Sequence, residues 1–232
     1  NADVVVVWGG SAGCVVAGRL AEQGRDVVLV EAGPDYGPHD SGRWPADLMS
    51  ARMLAVSHDW GYASGRWTFE RARVMGGCSA HNGAIAAVGQ REEYDAWGLP
   101  GWTGADVAPL YDIVLERMRV RAYERHEAGP FHERCMQAAE ALGWPIASDL
   151  CDLDAGPSFG LETVNVVGDV RWNAAFAYID PVRGGSLRIV DETLVDRVES
   201  HGGGARVLGS RRGEALVVEA GTVVLSAGAY GT

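Results

Sequence analysis

Four consecutive valines, Val4 to Val7, run into Trp8-Gly9-Gly10-Ser11-Ala12-Gly13 and then into an apolar pattern of helical period. A strand that is apolar on both faces belongs between two layers, as in the middle of a parallel sheet. Val27-Val28-Leu29-Val30 repeats that signature, and Glu31 closes it. Strand, glycine-rich turn, helix and strand in this order read as a dinucleotide-binding βαβ unit. Gly10 lets main chain approach a pyrophosphate, and Ser11 and Ala12 bring the N–H groups of the first helical turn to it. Gly13 lets helix and strand pack closely. Glu31, about 20 residues further on, is placed to accept hydrogen bonds from an adenosine ribose.

One position breaks the pattern. A Gly-x-Gly-x-x-Gly run ending at Gly13 needs its first glycine at position 8, and the chain has Trp8 there. A side chain at that tight turn crowds the ligand. Two expectations follow: the turn is rebuilt with Gly9 taking some of the strain, or nucleotide affinity is reduced.

Composition narrows the function classes. With 232 residues, 47% of them hydrophobic, the chain can bury one large domain or one and a half. A formal net charge of -11 repels phosphate backbones, which argues against a nucleic-acid partner. No apolar run approaches the ~20 residues of a membrane span, and the first strand begins too early to leave room for a signal peptide. The expectation is a cytoplasmic protein with no membrane partner. Cys14, Cys78, Cys135 and Cys151 lie far apart with no Cys-x-x-Cys, so they read as small buried thiols, neither a zinc site nor a disulfide framework. His39, His58, His126, His132 and His201 lack metal-ligand spacing and read as surface positions.

Along the chain, residues 11–23 read as a helix stopped by Gly24. Residues 33–64 are rich in Gly, Pro, Asp and Trp without a sustained period, the mark of a lid or cofactor wall. Thr103 caps a helix with apolar positions at Val107, Leu110, Tyr111, Val114, Leu115 and Met118. Residues 131–142 form another, and the charged stretch 117–127 reads as a solvated face. Strands at 187–190 and 194–198 lead into a small antiparallel excursion at 206–208 and 215–219. A buried strand at 222–226 then enters what looks like a second strand-to-helix turn. A parallel sheet needs a crossover after such a strand, so the chain reads as part of something longer. The organisation expected is 1–98 and 187–232 as two parts of a nucleotide-binding fold, with 99–186 as a helical, substrate-side insertion.

The second informative stretch is Arg73-Val74-Met75-Gly76-Gly77-Cys78-Ser79-Ala80-His81-Asn82-Gly83. Paired glycines followed by small residues admit a flat ligand close to backbone, and Asn82 offers both donor and acceptor. Trp60 and Tyr62 read equally as an aromatic wall or as core packing. Together with Glu31-Ala32-Gly33-Pro34, Asp59-Trp60-Gly61-Tyr62, Gly101-Trp102, Ala174-Ala175-Phe176-Ala177-Tyr178 and Val224-Leu225-Ser226-Ala227-Gly228-Ala229, this order of motifs resembles the N-terminal half of a glucose–methanol–choline (GMC) flavoprotein oxidoreductase.

That resemblance implies an α/β, Rossmann-like FAD-binding fold with a long lid loop and part of a substrate cap. It implies FAD as cofactor. Gly10, Ser11, Ala12 and Gly13 would hold the pyrophosphate, Glu31 and Ala32 the adenosine ribose end, and Val195 the adenine through its backbone. Trp60, Arg73, Ala227 and Gly228 would complete the cofactor site. Gly77, Cys78, His81, Asn82, Gly83 and Ala84 would line the isoalloxazine ring. The segment around His81 is most similar to the choline-oxidase-like branch, where the corresponding histidine is bonded covalently to the flavin. The implied reaction oxidises a small-molecule alcohol to a carbonyl, with oxygen or another acceptor taking the electrons. Its proton-handling His with His or Asn belongs to the family's C-terminal half, beyond Thr232, so no catalytic residue is nominated. The alternatives are a non-catalytic flavin- or nucleotide-binding fragment that needs a C-terminal partner portion, and a nicotinamide-dependent module. The latter gives residues 76–83 no role.

Overall fold

The computed structural model describes residues 1–232, the side chain of His201 excepted. The chain divides into two compact units, Asn1–Gly83 with Asp169–Thr232, and Ala84–Gly168. Residues 84–98 thus fall in the second unit and 169–186 in the first.

The first unit is built on a six-stranded sheet. β1 (Ala2–Val7) lies between β2 (Val27–Val30) and the strand Glu214–Leu225, parallel to both. The strand Leu187–Val190 extends the parallel part beyond β2. Val5, Val6, Val27, Leu29 and Val30 are fully buried. Burying each such side chain contributes roughly 1.5–3 kcal/mol, which explains why the valine runs fix the centre of the sheet.

The antiparallel excursion is Thr193–His201 paired with Gly204–Arg211. Here the structure corrects the sequence reading. Residues 215–219 and 222–226 are not two strands; Glu214–Leu225 is one continuous strand that changes partner. Ala220 pairs antiparallel with Ala205 and parallel with Ala2, and the remainder follows β1 to Val7↔Leu225. Gly221 permits the changeover, because a Cβ there would stand 3.2 Å from the Asp3 carbonyl oxygen.

Helix α1 (Ser11–Glu22) packs against the π-helical turn Ala175–Ile179. The approach is close enough that a Cβ on Gly18 would fall 2.4 Å from the Tyr178 carbonyl oxygen. Gly24, at φ +77°, stops the helix as expected. The aperiodic stretch 33–64 holds one helical turn, Ala46–Met49, and begins a hairpin, Tyr62–Ser64 with Trp67–Phe69. It is tied down by Arg183, which donates two hydrogen bonds to Asp35 at 2.7 and 2.9 Å, and by Trp44, which stacks edge-on against Phe176.

In the second unit, the helix Gly104–Arg117 is capped by Thr103, whose Oγ1 accepts from the Asp106 N–H at 3.2 Å. Pro130–Ala141 is the other long helix, with Gly143 at φ +75° beyond it. A small core of Tyr94, Val107 and Leu153 is locked by a 2.6 Å hydrogen bond between the Tyr94 and Tyr111 hydroxyls. The 117–127 stretch carries exposed ion pairs, Arg121 with Glu127 and Arg125 with Glu133 and Glu140.

All four cysteines are free; Cys14 and Cys151 are buried, Cys78 and Cys135 only partly. His58 departs from the surface position expected of it. It is partly buried, with Nε2 2.7 Å from the Tyr36 hydroxyl and Nδ1 2.7 Å from Ser57 Oγ. The His201 side chain lies outside the described residues. Among the described residues, no helix is long and apolar enough to cross a membrane, and no cluster of His, Cys, Asp and Glu could hold a metal ion.

Candidate functional site

The two glycine motifs, 66 positions apart in the chain from Gly10 to Gly76, meet in space. The Gly76 N–H donates to the Gly9 carbonyl oxygen at 2.7 Å. A Cβ on Gly77 would lie 2.7 Å from Gly10 Cα. Gly76 and Gly77 take φ of +91° and +54°, so the turn that makes this contact favours glycine for its conformation as well as its size. Gly10 caps α1 without a side-chain hydrogen bond, and a Cβ added to it would meet nothing within 4 Å. Gly13 is the reverse case: its Cβ would fall 1.8 Å from the Trp8 carbonyl oxygen.

Over this floor lies a cleft of about 330 Å³, walled by Gly10, Ser11, Ala12, Gly77, Ala227 and Gly228 among others. Its floor presents unadorned backbone and the positive end of a 12-residue helix. The phosphate group of a nucleotide fits such a floor, because it needs close main-chain approach and N–H donors left without side-chain partners.

Glu31 also borders the cleft, but its carboxylate is already engaged. Oε2 accepts from the Gly9 N–H at 2.8 Å and Oε1 from the Gly33 N–H at 2.7 Å. Glu31 thus braces the glycine turn, a role that spacing alone does not reveal. Burial pushes its carboxyl up to about 7, against the opposing pull of the Gly33 and Gly9 N–H groups and of Arg73. A folded-state value above the ordinary 4.5 means that the native state holds the proton more tightly than the unfolded chain. Stability from this group is therefore intact below about pH 4.5 and lost as pH rises through 7, by about 3 kcal/mol in total. The unfolding free energy of the ligand-free protein is expected to decline between pH 5 and 8 more steeply than that of Glu31→Gln. Parallel curves in urea titrations across that range would contradict the assignment.

After Gly76 comes the short 3₁₀ turn Gly77–Ala80. Ser79 fastens it, donating from Oγ to the Gly76 carbonyl at 2.6 Å and accepting from the Ala174 N–H at 3.0 Å. Asn173 Oδ1 accepts from the N–H groups of Ala175 and Phe176 and so starts the neighbouring π-helical turn. Arg171 is buried behind the turn. Its Nη1 donates to the carbonyls of Asp47, Leu48 and Ala80, and its Nη2 to that of Met53. One guanidinium thus ties the residue before His81 to the 46–53 loop. His81 itself is half-buried, and burial holds its imidazole below the ordinary histidine value, with Asp59 and Glu70 pulling the other way. Burial thus favours the uncharged ring, in which one nitrogen is unprotonated.

The remaining sequence-nominated residues are distributed as follows. Cys78 walls the cleft, and its carbonyl accepts from the N–H groups of His81 and Asn82. His81, Asn82 and Gly83 follow the turn without walling the cleft. Ala84 opens the second unit, where its carbonyl accepts from the Asn165 N–H at 3.0 Å. Trp60 walls the cleft, and Arg73 holds its guanidinium 5.0 Å above the Trp60 ring while donating to the Ala32 carbonyl at 3.1 Å. Ala32 and Arg73 face a second cavity of about 530 Å³, which also takes in Leu194, the neighbour of Val195. Val195 lies in the excursion beside a bulge and packs with Trp8 onto the valine core.

Trp8 overturns one expectation. Gly9 does not take up the strain of the turn; Trp8 does, at φ +75°, a conformation that costs a bulky residue on the order of 1–3 kcal/mol. Gly9 is confined for another reason: its Cβ would meet Met75 Sδ at 2.6 Å. The sequence reading also missed Tyr230, whose ring closes the aromatic wall 5.3 Å from Tyr62.

A family model described as GMC oxidoreductase matches residues 2–232. The chain belongs to the GMC oxidoreductase family. Among curated relatives of this GMC chain, the oxygen-dependent choline dehydrogenase of Rhizobium johnstonii is 30% identical over 99% of the chain and 46% of the relative. Among solved structures, pyridoxine 4-oxidase from Mesorbium loti superposes with a TM-score of 0.82 at 25% identity, covering 99% of this chain and 50% of that one. A formate oxidase variant from Aspergillus oryzae, whose structure concerns FAD modification, superposes at 0.76 with 22% identity, covering 97% and 45%. The GMC chain thus spans about half the length of these relatives.

Proposed function

We infer that this GMC chain is the FAD-binding portion of an oxidoreductase that acts on CH–OH groups, oxidising an alcohol to a carbonyl by hydride transfer to flavin. The observation that carries the reading is the contact of the two glycine motifs. The Gly76 N–H on the Gly9 carbonyl makes a single floor for one extended ligand, with the α1 N-terminus on one side and the Gly77–Ala80 turn on the other. A nicotinamide-binding unit accounts for Gly10 to Glu31 but gives the second motif nothing to do.

FAD, when bound, supplies the hydride acceptor. The protein supplies position. Gly10, Ser11 and Ala12 would hold the pyrophosphate, and Gly77 and Cys78 would bring backbone against the flat ring. His81, whose burial favours the uncharged imidazole, has a ring nitrogen able to carry a covalent bond to the flavin 8-methyl group. Arg171 and Ser79 hold its turn in place from behind. The alcohol and the electron acceptor, oxygen or another oxidant, complete the reaction. Its proton-handling groups are assigned to no residue of this chain.

The test is acid precipitation of the purified protein. A yellow pellet is expected from the unsubstituted chain and a pale one from His81→Ala, with the colour released to the supernatant. Colour that stays with the His81→Ala pellet would place the bond elsewhere, and a pale pellet from both proteins would remove the covalent link.

A further inference from the structure

Trp8 stands where the floor of the groove calls for glycine, and its surroundings show what its indole does there. The ring lies 5.6 Å from that of Trp60, inclined at 47°. The Trp60 ring in turn carries the Arg73 guanidinium at 5.0 Å. The far edge of the indole is wedged against the Gly231 backbone, where a Cβ would fall 2.1 Å from Cζ3 and 2.5 Å from Cη2. The indole Nε1 is buried and has no hydrogen-bond partner among the described residues. Packing therefore holds the ring in place with no polar anchor.

This layer runs from the lining of one space to the lining of another in the same unit. Trp8 and Trp60 wall the cleft over Gly10, Ser11 and Gly77. Arg73 walls the second cavity, together with Ala32, Gly33 and Leu194. Glu31 borders the first space and its neighbour Ala32 the second, so both open at the end of β2. An extended dinucleotide lying on the Gly10 floor and reaching past the end of β2 has to cross the Trp8–Trp60–Arg73 layer.

We propose that Trp8 is a specificity-determining residue that sets the length of ligand the groove accepts. With the indole packed on Trp60, the phosphate-binding floor admits a mononucleotide-sized flavin. A dinucleotide enters only when the indole is expelled. This rests on the flavin reading above and concerns the same site. Expulsion forfeits the packing of an aromatic pair, an effect that corresponds to about tenfold in affinity.

The test compares FAD and flavin mononucleotide as probes, titrated by calorimetry into the full chain, into Trp8→Gly and into Trp8→Ala, each prepared free of flavin. Trp8→Gly removes both the indole and the backbone strain, and Trp8→Ala removes the indole while leaving φ +75° to a side chain that disfavours it. Near-ultraviolet dichroism confirms that each variant is folded. Both variants are expected to bind FAD about tenfold tighter than the unsubstituted chain, with mononucleotide affinity changed by less than about threefold. Equal FAD affinity in all three overturns the proposal and leaves the flavin reading standing. An equal gain for both probes also overturns it, because the indole would then obstruct the phosphate floor and not the passage. Failure of every protein to bind either flavin removes the flavin reading, and this inference with it.

Discussion

Gly13→Ala is expected to lower the melting temperature of the ligand-free protein by about 6–12 °C, whereas Gly10→Ala is expected to leave it within about 2 °C. The two glycines belong to one motif and differ by three positions, yet their surroundings are opposite. A methyl on Gly13 would sit 1.8 Å from the Trp8 carbonyl oxygen and 3.3 Å from Ser226 Cβ. Neither contact is the end of a flexible side chain, so α1 must move away from β1. Overpacking of this kind costs about 3 kcal/mol, and in a chain of this size each kcal/mol is worth roughly 2–4 °C. A methyl on Gly10 enters open space on the ligand side of the same turn. It should cost little stability and instead occupy the position through which the backbone approaches phosphate, so the loss appears in nucleotide affinity. Differential scanning fluorimetry separates the two. A Gly13→Ala protein as stable as the parent would mean that α1 and β1 are not in the close contact described.

The contrast illustrates how far the sequence can be read. β1, α1 and β2 are legible because their signals are local: four valines in a row, Gly10 at a helix start, Gly24 at a helix end. The partner change at Ala220 is not, since it depends on Ala2 and Ala205 arriving on the same residue from distant parts of the chain. The Ala-Gly pair at 220 and 221 looks like a break and is a passage between two pairings. Glu31 is legible as a position, but its engagement by the Gly9 and Gly33 N–H groups comes from how tightly the turn is drawn. Arg171 carried no signal at all. An arginine between Val170 and Trp172 gives no sign that it will be buried, or that its acceptors are carbonyls more than 90 positions earlier. His58 failed for a similar reason, because its partner Tyr36 is brought to it by a loop without periodicity.

Trp8 was legible as an exception but not in its consequence. Local reasoning placed the strain on Gly9, the nearest residue free to absorb it. The structure keeps Gly9 beside Met75 and Glu31, where its smallness is already used, and leaves the left-handed conformation to the tryptophan. The indole then packs on Trp60 and Gly231, contacts that no pattern at positions 8–13 could disclose.

The central claim is that the floor made by Gly9, Gly10, Gly76 and Gly77 binds FAD and not a nicotinamide dinucleotide. Its most direct test is the melting temperature of the chain and of Trp8→Gly with either nucleotide added. At a hundredfold excess over the dissociation constant, a ligand that binds only the folded state adds about 2.7 kcal/mol. That amounts to a rise of roughly 5–10 °C in a protein of this length. FAD is expected to produce such a rise in Trp8→Gly and a smaller one in the unsubstituted chain, while NAD moves neither. A rise with NAD equal to that with FAD, or no rise with FAD in either protein, would contradict the account.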